Sequence, residues 1–255
     1  APGPRAGASP PPGGVPRDAA VDAGATRTAS GAAAAADASG NTIVDLVLGY
    51  TPGFVTYYGG DSQAQTRLNN LVDITNEGYA NSQVPARVRL VKTLRVDYTD
   101  LNKNDTALEE LTGYKSGTGG GQTNPNAAFA ALRQARETYG ADLVSLVRPF
   151  NDPEHDGCGI AWLNGGGQRT ITQNDAYFGY SVVSDGRDQG TDGKTYFCRG
   201  ETLAHELGHN MGAAHDRTTS MGRDGVLQSN EYGAFAYSFG YKTSAVNGNF
   251  YTIMA

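Results

Sequence analysis

Three of the four histidines in this 255-residue chain fall in one short segment, His205-Glu206-Leu207-Gly208-His209-Asn210-Met211-Gly212-Ala213-Ala214-His215-Asp216. Residues four apart on a helix project from one face, so His205 and His209 can aim their imidazoles at a single ion. Gly212 readily takes the left-handed backbone that ends a helix and turns the chain back, which lets His215 swing to the same ion as a third ligand. Three protein ligands leave zinc an open tetrahedral position for water, the arrangement of a catalytic rather than a structural site. Zinc lowers the pKa of that water to about 7 and polarises a carbonyl. Glu206, beside His205, is expected to face the open position, take the water's proton and hand it to a departing amine. Reading these as three ordinary histidines leaves the spacing to coincidence, with Gly at +7 and His at +10 from His205.

A helix is needed to hold such a site, and a sheet to hold the helix. Leu203, Leu207 and Met211 share a second face of the same segment and would bury it against a core. Residues 43–48 are apolar and β-branched, a first strand. Helical spacing of Leu68, Leu71, Val72 and Thr75 predicts a helix over 63–79, and alternation predicts a strand over 87–96. A helix near 106–114, a Gly-rich loop over 116–121 and a helix over 126–139 follow. Residues 141–147 read as a third strand broken by Pro149, 159–163 as a short edge strand, and 177–183 as a further strand. Strands alternating with helices imply an α/β architecture with a mostly parallel sheet.

Composition narrows the function classes. The formal charge is −6, and no Lys/Arg cluster offers the basic face that nucleic-acid binding requires. No apolar run approaches the roughly 20 residues of a membrane span. Residues 1–41 are built from Ala, Pro, Gly and Ser without an aromatic side chain, and are expected to form a flexible leader or the remnant of one. The Gly-rich stretches 116–122 and 164–168 lack the strand, helix and Lys-Ser/Thr context of a phosphate loop. Cys158 and Cys198, with no CxxC spacing, are compatible with one disulfide or two buried thiols.

The run from His205 to His215, with Asn210 inside it and Asp216 after it, resembles the signature of the metzincin metallopeptidases in their reprolysin or adamalysin-like branch. Tyr251-Thr252-Ile253-Met254-Ala255 resembles that clan's Met-turn. Val44-Asp45-Leu46-Val47, Tyr139-Gly140-Ala141-Asp142-Leu143-Val144 and Cys158-Gly159-Ile160-Ala161-Trp162 are most similar to bacterial secreted reprolysin-like enzymes that include the peptidyl-Asp metallopeptidases. The resemblance spans about 43–255. It implies a secreted, monomeric zinc endopeptidase of metzincin-like α+β fold, with a twisted mixed sheet above the active-site helix. It divides residues 42–255 into an upper part, 42–212, and a small lower part, 213–255. The family continues past the Met-turn, so the sequence is read as truncated within the lower part. The resemblance further implies an extended polypeptide substrate paired with the edge strand at Gly159, Ile160, Ala161 and Trp162. It makes Met254 a packing residue beneath the metal. An extracellular setting favours a Cys158–Cys198 disulfide, closing a loop of about 40 residues and contributing roughly 3–4 kcal/mol.

Weaker signals remain. His155, with Asp152, Glu154, Asp156 and Cys158, could suggest a second metal site but reads as a polar loop. Asp185, Asp188 and Asp192 could meet the oxygen preference of Ca2+ without an EF-hand spacing. Asn104-Asp105-Thr106 is a glycosylation sequon. Asp216 is expected to orient the lower part through hydrogen bonds. Arg148, Arg169 and Arg199 are the candidate cations if acidic side chains are preferred beside the cut. Two rivals stand: a gluzincin using Glu231 as third ligand in place of His215, and a non-catalytic zinc-bearing binding module.

Overall fold

Alternation along the first strand divides the core into two layers. In the computed structural model, which describes residues 36–222 and 224–255, β1 (Thr42–Tyr50) sends Leu46, Leu48 and Tyr50 to one face and Val47 to the other. The expected leader lies for the most part outside the described residues. α1 (Pro52–Tyr58) follows at once, capped by the Thr51 hydroxyl accepting from the Phe54 amide and ended by left-handed Gly59. α2 (Asp61–Asn81) buries Leu68, Leu71, Val72, Thr75 and Tyr79. β2 (Ala86–Arg95) then lies parallel to β1.

α3 (Asn104–Thr112) stops at left-handed Gly113, short of the predicted Tyr114. On either side of the expected Gly-rich loop, β3 (Tyr114–Lys115) and β4 (Gly121–Gln122) form a small antiparallel ladder. A 3-10 turn leads into α4 (Ala130–Tyr139). β5 (Leu143–Pro149) begins and ends two residues later than predicted, with Pro149 closing the strand rather than lying beyond it. β6 (Gly159–Ala161) is short. The strand predicted over 177–183 is in fact the end of a 3-10 helix followed by β7 (Tyr180–Gln189). β7 runs on because its far end pairs with β8 (Thr195–Cys198), a partner with no local signal in the sequence. α5 (Thr202–Asn210) and the short α6 (Arg217–Ser220) complete the regular elements that position the site.

The sheet order is β2-β1-β5-β7-β6. The first four strands are parallel and β6 is antiparallel to β7, giving the mixed α/β fold expected. α2 and α5 cover one face through Leu68, Leu71, Leu203 and Leu207, together with Leu46 and Leu48 of the sheet. α3 and α4 cover the other, where Leu108, Leu111 and Leu132 meet Val144 and Trp162. Full burial of Leu203 and of Leu207 stabilises the placement of α5 by roughly 1.5–3 kcal/mol each. No helix among the described residues is long and apolar enough to cross a membrane.

Candidate metal centre

α5 is buried along its whole length. Its apolar face packs on the sheet, so His205 and His209 are left on the side that looks toward the chain after Met211. Gly212 has a φ of 95°, and a Cβ there would lie 2.6 Å from the Ala234 methyl. A glycine is therefore needed on both conformational and steric grounds. The turn brings His215 back to the helix. The Nε2 atom of His215 is 2.9 Å from that of His205 and 3.1 Å from that of His209, and the latter two are 3.1 Å apart.

The remaining ring nitrogens set the tautomers. His205 Nδ1 lies 2.6 Å from the Ile253 carbonyl and His209 Nδ1 2.7 Å from the Ala213 carbonyl. A carbonyl only accepts, so each Nδ1 carries the proton and each Nε2 offers its lone pair inward. Burial lowers the pKa of all three; His209 is held well below the usual range with help from its two neighbours, and His215 is brought to about 4. Neutral imidazoles in a triangle of this size suit a tetrahedral ion with nitrogen ligands, whose ligand atoms are about 3.3–3.4 Å apart. Among the described residues this is the one group of three or more His, Cys, Asp or Glu side chains placed to hold a metal.

Glu206 is fully buried and neither carboxylate oxygen has a hydrogen-bond partner. Burial alone pushes its pKa well above the ordinary carboxylate value. The carboxylate lies against β6, where a Cβ on Gly159 would sit 2.5 Å from Oε1. Gly159 thus leaves the space that Glu206 occupies. On the other side of α5, a Cβ on Gly208 would lie 2.5 Å from the Met254 sulfur, so Met254 packs directly against the helix.

The neighbours of the triad are tied down. Asp216 accepts from the amides of Thr218 and Thr219, capping α6, and its carboxylate is 2.9 Å from Lys242 Nζ. Asn210, at the end of α5, donates to the Trp162 and Tyr180 carbonyls and so pins the helix to β6 and β7. Cys158 and Cys198 are bonded, joining the approach to β6 with the end of β8. Lys242 and the Ile253 and Ala213 carbonyls were missed by sequence reasoning. The two carbonyls carry no residue-type signal, and Lys242 lies 26 residues from its partner.

The weaker candidates are engaged elsewhere. His155 has Ser184 Oγ 2.7 Å from Nδ1 and the Asp100 carbonyl 2.8 Å from Nε2, so both nitrogens are committed. Asp185 is bound by Arg67 and Tyr58, Asp188 accepts from the Asp152 amide, and Asp192 holds Lys194 and Tyr196. The sequon side chain, Asn104, is buried and bonded to Arg148, Ser184 and the Gly157 carbonyl. Glu231 closes a capping box on the Gln228 amide. Of the three candidate arginines, Arg148 is buried beside Asn102 and Asn104, and Arg169 donates to the Gly166 carbonyl. Arg199 lines a cavity of about 730 Å³ that reaches His205.

Comparison with known proteins decides the family. Residues 40–255 match the family described as metallo-peptidase family M12B, reprolysin-like. The chain belongs to this family. It is 31% identical over 237 residues to a peptidyl-Asp metalloendopeptidase of Pseudomonas aeruginosa, covering 88% of this chain and 33% of that protein. It is 28% identical to a protein of the same description from Xanthomonas campestris, covering 88% of this chain and 43% of that one. The chain therefore spans less than half the length of these relatives. A solved chaperone–substrate complex contains a chain of similar fold, with a TM-score of 0.54 and 20% identity over 86% of this chain and 29% of that one. Membership in a metallopeptidase family, with three converging imidazoles, implies zinc as the metal.

Proposed function

We propose that this chain carries the catalytic part of a secreted zinc endopeptidase. The observation that carries the reading is the buried, unpartnered carboxylate of Glu206 on the helix that also presents two of three imidazoles whose lone pairs converge. A structural site has no use for such a base, and leaving a carboxylate buried without partners is costly. His205, His209 and His215 would hold the metal. Zinc supplies Lewis-acid chemistry there, making water acidic near neutral pH and drawing electron density from the scissile carbonyl.

Every proton movement falls to Glu206. Its carboxylate takes a proton from the attacking water on one oxygen and delivers it to the amine nitrogen as the C–N bond breaks. The substrate is an extended polypeptide lying on β6, which among the described residues pairs only with β7. Backbone pairing to Gly159, Ile160 and Ala161, with Trp162 next in line, would grip many sequences. Two relatives named for peptidyl-Asp bonds motivate a preference for aspartate beside the cut. Gly212, Met254 and Asp216 are assigned positioning roles: the return turn, the support under α5, and the clamp that fixes the chain after His215. The division between upper and lower parts falls at Gly212, and the protein acts as a monomer.

The test is digestion of casein with and without a chelator. Cleavage that stops on chelation and returns with zinc is expected. Absence of chelator-sensitive cleavage would overturn the peptidase reading and favour a zinc-bearing binding module.

A further inference from the structure

We infer that Arg199 is the cation that receives an acidic side chain of the substrate, a reading that rests on the peptidase function proposed above. The cavity of about 730 Å³ is lined on one side by Thr202 and His205 of α5, on another by Cys158, directly before Gly159, and on a third by Tyr251 and Ile253. It therefore borders a metal-site imidazole, the start of the strand proposed to hold the substrate and the segment that leads to Met254. A side chain beside the hydrolysed bond enters here.

Three charged side chains line the cavity: Arg199, Lys242 and Glu201. Lys242 is committed, with Nζ 2.9 Å from buried Asp216 and 3.1 Å from Thr219 Oγ1. Arg199 has no carboxylate partner among the described ion pairs. Its guanidinium lies 5.3 Å from the centre of the Tyr251 ring, a cation–π contact. That contact uses one face of the planar group and leaves its N–H edge for a carboxylate, which arginine binds through two parallel hydrogen bonds. The Arg199 carbonyl is fixed by the Thr202 hydroxyl at 2.8 Å, so the backbone that presents the side chain is held at the start of α5. With Lys242 paired, Arg199 and Glu201 set the charge of the cavity. Removing Arg199 leaves Glu201 as the dominant charge, so the acidic preference should fall, and a carboxylate placed at position 199 should reverse it.

The experiment has two arms on the full chain. Cut sites in a mixed peptide library are mapped by mass spectrometry for the parent protein and for Arg199→Ala, Arg199→Lys and Arg199→Glu. Peptides differing only by Asp against Asn beside the cut are titrated into Glu206→Gln and into Glu206→Gln with Arg199→Ala, and binding is read by fluorescence anisotropy. Arg199→Ala should lower the Asp-over-Asn preference about 10-fold or more in both cutting and binding. Arg199→Lys should keep part of it, and Arg199→Glu should favour Lys and Arg. Retention of the parent's preference in Arg199→Ala, or a parent with no acidic preference, overturns the inference while leaving the peptidase reading intact. A parent with no chelator-sensitive cleavage removes that reading and the inference with it.

Discussion

Two buried polar clusters lie on opposite faces of the same sheet. On the α3 side, Arg148 reaches Asn102 and Asn104, Asn104 reaches Ser184 and the Gly157 carbonyl, and Ser184 meets His155, which closes on the Asp100 carbonyl. Only a few atoms of that set, such as Arg148 Nε, lack a partner. On the α5 side, three imidazole lone pairs face each other and both Glu206 oxygens are unpartnered. Both clusters are desolvated to a similar degree. The first returns that cost in hydrogen bonds and fixes the loop leading into β6, whereas the second is the one that the proposed metal and substrate would complete. Incomplete satisfaction, more than burial or charge, distinguishes the site from the scaffold.

The contrast can be broken in order of expected effect. Removing the metal by chelation, or replacing His215 with Ala, should reduce peptide cleavage to background and lower the melting temperature. A His215→Ala protein that keeps its zinc and activity would revive Glu231 as a ligand. Glu206→Gln should cost about 10²–10⁴-fold in kcat while metal content, measured by elemental analysis, is kept. Because it removes a buried unpaired carboxylate, its melting temperature should not fall. Gly159→Ala places a methyl where the Glu206 carboxylate rests and should lower kcat on the order of 10²-fold, with zinc retained.

Changes in the α3 cluster should instead act on stability. Asn104→Ala leaves Arg148, Ser184 and the Gly157 carbonyl short of partners and should cost roughly 1–3 kcal/mol in denaturant unfolding. Activity per folded molecule should be unchanged. A last change in this cluster acts on acid sensitivity. Burial and the nearby Arg148 charge bring His155 to about 3, below its unfolded value of about 6.5. The unfolded chain therefore binds a proton that the folded chain refuses between these values. The stabilisation is complete above the upper value and is lost as pH falls toward the lower one. His155→Gln should flatten the unfolding free energy against pH in that window by about 1.4 kcal/mol per unit relative to the parent.

The site was legible in the sequence because its spacing is local: His205, Glu206, His209, Gly212 and His215 all lie within three helical turns. The central strands were legible for the same reason, since β-branched runs mark 43–48 and 87–96. Elements that depend on distant partners were not. β8 exists because β7 extends to meet it, and the Thr195–Cys198 sequence says little by itself. α1 is too short for a periodic pattern and is announced only by its cap. His155 reads as part of a polar loop, but nothing local reveals that Ser184, 29 residues on, claims one ring nitrogen. Asp216 was expected to hold the lower part through hydrogen bonds, but its Lys242 partner was invisible until the chain folded.

The bond between Cys158 and Cys198 encloses β6, β7 and β8 in one covalent ring. Residues 191–194, at the tip between β7 and β8, are exposed and include Asp192. If the proposed preference for aspartate holds, the enzyme would meet such a tip on every copy of itself. Self-digestion at that tip would nick the chain without dividing it, since the disulfide keeps the new ends on one molecule.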